Sequence, residues 1–523
     1  MFDTRYLQEE ADICIVGAGA AGGVLAKELA EAGMRVVVIE AGPFRDPQKH
    51  FASDELAMET LSWEETRIVD GGDPLRLGSN NCGKGVGGGT QHWTAVCLRF
   101  HPSDFRTYSE DGVGVDWPLA YEDLEPYYAR HERELAVSGP KHFPWGAFHG
   151  PYPWPERNPL SSNAEIFQMG CQKLGIDWCV TPLVILTGPF EGRAPCTNRG
   201  FCNQGCMPNA KFSTLIVHIP KAIQAGAVVY ADATVVEIEM GKDGKAKGVV
   251  FVHDGMTYRQ KAKIVILSAF VVENPRLLLH SANAQFPNGL ANSSGWVGKG
   301  IMVHSSDDVY AKFPEEIRFY KGSPVMASTQ AFYETNPNRG FVRGYTLHAH
   351  GSRPMSMAKG IATTAGIWGR QLRELMLNYN FYGRVTVVGE VLPAPWNRVA
   401  LHAEETDAHG VPKAHVTFTY GDNDKRLLEH AVKKAEEILA AAGGKPVVRT
   451  HDTAHLMGGC RMGKDPATSV VNRDCQTHDI PNLFICDASV FPTSGGGNPT
   501  HTVMAIAART ADAIKTKTVR REI

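Results

Sequence analysis

Two short stretches near the C-terminal end of the chain hold the side chains best suited to moving a proton. One is THDTAHLMGGCRMG, residues 450–463, with His455 ahead of a glycine pair; the other is GGGNPTHTV, residues 495–503, with Asn498 ahead of a proline. Oxidising a CH–OH group needs a base for the hydroxyl proton and a hydride acceptor at the carbon, on opposite sides of one C–O unit. A neutral imidazole suits the first task, because its pKa of about 6.5 lies near working pH and such a base supplies roughly 10²–10⁴-fold in rate. His455 is read as lying in a loop that enters GGCRMG and faces a cavity. Asn498 reads as a helix N-cap with Pro499 at the first helical position, and Val503, Ile506, Ala507, Thr510, Ala513 and Ile514 mark the core-facing side of the helix that follows. From that place its amide would reach a substrate oxygen, and the partly positive helix end would stabilise negative charge nearby. His501, inside the helix, is the weaker candidate.

The hydride acceptor must be held by other elements. ADICIVGAGAAGGVLAKELAEAGMRVVVIEAG, residues 11–42, reads strand, tight turn, helix, strand. Gly17, Gly19 and Gly22 have the G-x-G-x-x-G spacing that gives a tight turn, room for a pyrophosphate and close helix–strand packing, with the phosphates at the helix N-terminus. Glu40 ends the second strand, where an acid accepts the hydroxyls of an adenosine ribose. A second glycine loop (Gly83, Gly85, Gly87, Gly88, Gly89) and a third (Gly495, Gly496, Gly497) also withhold side chains, as a bulky planar group would require. Three bare-backbone approaches favour FAD over NAD.

Taken together, VGAGAAGGVLAKELAEAG with VVVIEAG, GKGVGGGTQHW, HLMGGCRMG and DASVFPTSGGGNPTHTVMAIAARTADAI resemble the glucose–methanol–choline (GMC) oxidoreductase family, nearly end to end. The cysteine segment and THDIPNLFICDAS are most similar to its sugar and polyol dehydrogenases, with pyranose-oxidase-like enzymes next. The resemblance implies an α/β (overall α+β) fold, in which a Rossmann-like FAD-binding domain (1–105, 190–305, 450–523) is interleaved with a sheet-and-helix substrate domain (106–189, 306–449). It implies His455 and Asn498 as the catalytic pair. Gly17, Gly19, Gly22, Glu40, Gly87, Gly88, His92, Val236, Asp487, Pro499 and Thr500 are implied as FAD-binding residues. His92 falls beside the flavin dimethylbenzene edge. Pyranose-oxidase-like relatives link such a histidine covalently to the flavin methyl group, whereas sugar dehydrogenases can hold one without the link, and both alternatives stay open. Trp93 is expected to pack. Two positions depart from the family: Phe270 stands where glycine is common, expected to affect adenine-side packing, and Val303 where an acid is often seen, expected in a loop at the domain junction.

CTNRGFCNQGCMPNAK sets Cys196, Cys202 and Cys206 in C-x5-C-x3-C, a spacing able to ligate an iron–sulfur cluster; the alternative is a packed or free-thiol loop. Sugar dehydrogenase relatives with this spacing carry a three-iron cluster and pass electrons to a cytochrome partner, but MPNAK departs from their continuation.

The implied reaction is oxidation of a sugar, glycoside or polyol alcohol to a carbonyl, with electrons passed to a non-oxygen acceptor. An oxidase of the same substrates, making hydrogen peroxide, is the alternative. A non-catalytic flavin subunit of an electron-transfer complex would need neither His455 nor Asn498.

Composition bounds these readings. The chain has 523 residues, 43% hydrophobic and 21% charged, enough for several domains at roughly 150 residues each. A net charge of −3 provides no basic excess for nucleic acid. The longest apolar run, IVILSAFVV at 264–272, is far below the roughly 20 residues of a membrane span. An odd count of 11 cysteines and the lack of a leader-like N-terminus lead us to expect a cytoplasmic location. Export with a signal-bearing small subunit would make it periplasmic.

Overall fold

The computed structural model describes residues 9–56, 61, 63, 67–78, 81–147, 151–155 and 160–523. Its first layer follows from the N-terminal pattern. Ala11–Val16 is a short apolar strand whose Ile13, Cys14 and Ile15 are fully buried, as expected where both faces of a parallel sheet are covered. It lies between two parallel neighbours, Val36–Ile39 and the end of Met256–Leu267; Val228–Tyr230 and Leu483–Ile485 extend the sheet on either side. The strand Met256–Leu267 is used twice. Its first half closes an antiparallel meander with Ala246–His253 and Thr234–Met240, and its apolar second half enters the parallel sheet. The β-branched runs at 228–240 and 247–267, separated by Gly and Asp turns, thus form a meander that leads into a buried strand. Helices Ala20–Glu31 and Thr500–Val519 pack together on this layer.

The second layer is a six-stranded antiparallel sheet in the order Lys445–Met457, Met302–Lys312, Tyr382–Gly389, Tyr345–His350, Val325–Thr329, Cys179–Val180. Helices Ser162–Leu174 and Asp422–Ala441 cover one face with an apolar core that includes Phe167, Leu427 and Ile438. Alternation sends the opposite set of side chains, His348 and His350, Arg384 and Thr386, Ser306 and Asp308, toward a cavity shared with the first layer.

Two strands of this second sheet meet at a bulge. Met302–Lys312 and Lys445–Met457 pair Met302 with Met457 and His304 with Ala454, so one extra residue is accommodated on the second strand. That bulge contains His455, whose φ of 55° lies in the left-handed region. A bulge re-aims a side chain, and here it turns the imidazole toward the cavity. His455 therefore ends a strand rather than sitting in the loop expected from sequence. Val303 is likewise in a strand, fully buried against Val271, Val272 and Leu456, which leaves no room for an acid. Phe270 keeps a φ of 97°, the conformation for which glycine is the natural residue, and its ring lies beside Trp63 and Arg67. Among the described residues no helix is long and apolar enough to cross a membrane.

Candidate active site

A cavity of about 410 Å³ lies between the layers. One part is lined by Gly17, Gly19, Glu40, Gly88, Val236 and Asp487, another by His92, Pro499 and Thr500, and a third by His455 and Asn498. Gly22 and Gly87 stand behind this lining. Eleven of the thirteen residues expected at an FAD and catalytic site thus border one space.

The glycine loops are bare for identifiable reasons. At Gly17, with a φ of 97°, a Cβ would stand 2.3 Å from the Ser268 carbonyl oxygen. At Gly88, with a φ of 47°, it would come within 2.8 Å of the Gly19 Cα. The first and second glycine loops therefore touch backbone to backbone, beside the N-terminus of helix Ala20–Glu31. Glu40 accepts from the amides of Ala18 (2.9 Å), Gly42 (2.9 Å) and Gly85 (3.1 Å), so one carboxylate joins three loop segments. Of its roughly four lone-pair sites, these amides leave one. Burial pushes its carboxyl up, while the three amides draw it back down. Asp487 is also buried and committed, accepting from Phe270, Asn274 and Ser489.

On another wall, His92 is buried, and its Nε2 has no hydrogen-bond partner among the described residues. Burial, reinforced by Lys211 and Arg45, lowers it to about 4, so the ring is neutral. Trp93 donates to the Phe212 carbonyl at 3.0 Å and meets the Phe212 ring edge-on, as a packing residue should. Lys211 is an unforeseen clamp behind this wall: fully buried, it donates to the carbonyls of Gln91 (2.8 Å), Trp93 (3.0 Å) and Cys202 (2.8 Å). It ties the segment around His92 to the cysteine loop. There Cys202 is buried and pushed up to about 12, while Cys196 and Cys206 are half-buried and accept from the amides of Asn198 and Lys211. Among the described residues, no group of three or more Cys, His, Asp or Glu is placed to hold a metal ion.

At the proton-transfer end, Asn498 Nδ2 lies 3.3 Å from His455 Nε2, and Asn498 Oδ1 lies 3.0 Å from His348 Nε2. The other nitrogen of His455, Nδ1, is 2.9 Å from Nδ1 of His304. Asn498 is not the N-cap expected from its sequence position. Pro499 takes that place and the helix begins at Thr500, because the amide is already engaged by two imidazoles. His501 is buried within the helix, against Tyr128 and His131, away from this group. No role for His304 or His348 is expected from sequence. His348 alternates with His350 on the cavity-facing side of its strand, a period-two signal at 348–350, whereas His304, in HSSD at 304–307, is fully buried and lacks such a signal.

Burial, aided by the neighbouring His304 and His348, pulls His455 well below the ordinary histidine range. A depressed pKa means that the free-base form persists as pH falls through 6.5. Anaerobic reduction of bound flavin by substrate should stay level from pH 8 to about 6, with its acid limb lower still. Rapid-mixing measurements across pH 5–8 test this; an acid limb at or above 6.5 that disappears with His455 would overturn it.

GMC oxidoreductase family models match residues 12–306 and 393–507. The chain belongs to this family. It is similar to a 2-methyl-1,2-propanediol dehydrogenase of Mycolicibacterium austroafricanum, at 32% identity over 97% of this chain and 95% of the relative. It is also similar to a fructose dehydrogenase large subunit of Gluconobacter japonicus, at 30% over 96% and 97%. A formate oxidase from Aspergillus oryzae superposes with a TM-score of 0.71 over 98% of this chain and 99% of that one; at 17% identity this likeness concerns the fold. GMC oxidoreductases are FAD-dependent enzymes that oxidise CH–OH donors, and this chain is one of them. The site residues fit that cofactor: bare backbone at a helix N-terminus for the pyrophosphate, a buried carboxylate with a lone pair to spare, and on the far wall a neutral imidazole whose Nε2 has no partner among the described residues.

Proposed function

We propose that the enzyme oxidises a secondary or primary alcohol of a sugar, glycoside or polyol, with His455 as the base and Asn498 as its partner at the substrate oxygen. The observation that carries this reading is the convergence of His455 Nε2 and the Asn498 amide at 3.3 Å on the cavity shared by the glycine loops. His455 Nε2 takes the hydroxyl proton. Asn498 and the N-terminal end of helix Thr500–Val519 hold the oxygen and favour negative charge beside it. When bound, FAD supplies the hydride acceptor. Gly17, Gly19, Gly87, Gly88 and Glu40 seat its adenosine and pyrophosphate; Val236, Asp487, Pro499 and Thr500 line its course, and Gly22 packs the helix beneath.

The polyhydroxylated substrate class rests on the remaining wall. Asp308 Oδ1 accepts from both Arg384 (2.6 Å) and Thr386 (2.6 Å), and His350 lies 3.3 Å from each of these donors. A wall of charged and hydrogen-bonding groups suits a substrate with several hydroxyls better than an aliphatic chain. We assign this wall to the substrate domain, residues 106–189 and 306–449, and the rest to FAD binding. A flavin-reduction screen over sugars, glycosides, polyols and aliphatic alcohols tests the class, and fastest reduction by a long-chain alkanol would overturn it.

Two of the relatives named as dehydrogenases share the higher identities, and on that ground we place the acceptor outside molecular oxygen. Substrate-dependent peroxide formation in air at the full turnover rate would reverse this. The eleven cysteines are all free, which supports a reducing, cytoplasmic setting; similarity to a large subunit supports the alternative, a small-subunit or cytochrome partner and a periplasmic location. The iron–sulfur reading of Cys196, Cys202 and Cys206 is supported by their spacing alone. Their placement does not fit a bound metal, and no electron transfer is routed through one; stoichiometric iron in anaerobically purified enzyme would restore it.

His92 bears on the form of the cofactor. Its neutral Nε2 has the lone pair that a covalent bond to the flavin methyl carbon would use. We expect flavin to remain with the polypeptide after acid precipitation and to be freed by His92→Ala. Complete release from the unaltered enzyme would assign His92 to packing alone.

A further inference from the structure

The hydrogen bonds around His455 form a single chain whose direction is set from one end. The Gly495 carbonyl can only accept, so His304 Nε2, at 2.6 Å, carries a proton. His304 is fully buried and is lowered to about 4, so it holds one ring proton and its Nδ1 is a lone pair. His455 Nδ1, at 2.9 Å, must then donate to it. The remaining nitrogen, Nε2, is left as the acceptor, which requires the Asn498 NH2 to point toward it and Asn498 Oδ1 to receive the proton of His348 Nε2. His348 Nδ1 in turn accepts from Ser328 at 2.6 Å, and Ser328 accepts from Thr181 at 2.5 Å. No other assignment satisfies every member.

We propose that His304 is a positioning residue that locks His455 as the Nδ1–H tautomer, so that Nε2 alone faces the alcohol as base. This deepens the reading of His455 given above and rests on it. The alcohol proton moves to Nε2, and the electron pair of the C–H bond leaves with the hydride to the flavin. The resulting imidazolium keeps its Nδ1–H on the His304 lone pair, which stabilises it without a carboxylate. The titratable groups facing His455 are His304, from the adjacent strand, and His348, from the fourth strand of the sheet; Asp308, Arg384 and Asp452 line the same cavity.

The direct test is the protonation pattern of 15N-histidine-labelled holoenzyme without substrate, read from two-bond proton–nitrogen correlations and assigned with His455→Ala. The expected result is His455 protonated at Nδ1 and His304 at Nε2. A His455 protonated at Nε2, or exchanging between the two forms, overturns the proposal. Kinetics supply a second arm, using the alcohol that reduces the flavin fastest in the screen. His304→Leu should slow reduction about 100-fold with the substrate Kd unchanged, since a wrongly placed imidazole proton is costly. His304→Asn, whose Oδ1 can still accept from His455, should recover most of that loss, and equal slowing by both variants overturns the proposal. If His304→Leu fails to hold FAD, the spectra of the unaltered enzyme decide. Unchanged reduction in His455→Ala would instead remove the base reading itself.

Discussion

His455→Ala is expected to slow reduction of bound flavin by substrate by about 10³-fold while the protein keeps its FAD. The size follows from the loss of a general base, worth roughly 10²–10⁴-fold. Asn498 and the helix end remain to hold the substrate oxygen. Retention of FAD follows from geometry, because the contacts of Glu40 and the approach of Gly88 to Gly19 do not involve the bulge that carries His455. The left-handed backbone at residue 455 is less favourable for alanine than for histidine, so His455→Asn, which tolerates that region as histidine does, separates backbone strain from chemistry. Stopped-flow absorbance in anaerobic solution provides the rate, and the ratio of flavin to protein absorbance provides the occupancy. Reduction at the unaltered rate would move the base elsewhere, with His348 the next imidazole along the chain.

Arg343→Met is expected to cost about 3–5 kcal/mol of stability, a large fraction of what a folded domain possesses. Arg343 is 1% exposed and binds three carboxylates: Asp104, Asp111 at 3.0 Å and Glu390 at 3.1 Å. Asp104 also accepts from Tyr333 at 2.7 Å, and the Tyr333 oxygen accepts from the Gly496 amide at 3.1 Å. Removing the guanidinium leaves these acids buried without a counter-charge and loosens the glycine loop whose Gly495 carbonyl anchors His304. In the native protein burial and the neighbouring acids push Glu390 up, while Arg343 pulls it down. In the variant that restraint is gone and the folded-state pKa values of Glu390 and Asp104 rise further. The variant should therefore regain stability as pH falls and lose it as pH rises through those values. Thermal unfolding at pH 5 and pH 8, with and without added FAD, measures both the loss and its sign. A melting temperature equal to that of the unaltered enzyme at pH 8 would overturn the prediction.

The dinucleotide half of this enzyme was legible because its signals are local: a strand, a turn that tolerates only glycine at residue 17, a helix of small residues and an acid at residue 40. The six-stranded sheet was not. Its central strand Tyr382–Gly389 is buried along its whole length, so it lacks the alternation that identifies a half-exposed strand, and its partners lie far away in sequence. Asn498 illustrates a different difficulty. A cap before Pro499 is the favoured local choice, and tertiary hydrogen bonds to His348 and His455 outweigh it. His304 follows an apolar run and has no neighbour in sequence to suggest a role; only strand pairing brings it to His455. The bulge at His455 is equally invisible beforehand, since it arises from the count of residues on two strands that meet across more than a hundred positions.

The edge strand Leu483–Ile485 completes the parallel sheet by pairing with Met256–Leu267, more than two hundred residues after that strand has been made. During synthesis on the ribosome, Val265–Leu267 must wait with one row of amides and carbonyls uncovered while more than two hundred further residues are made. Such an open edge invites pairing with other chains. Production of the enzyme should thus be sensitive to chaperone supply and growth temperature, and messages truncated shortly before codon 483 should yield aggregates in place of a shortened flavoprotein.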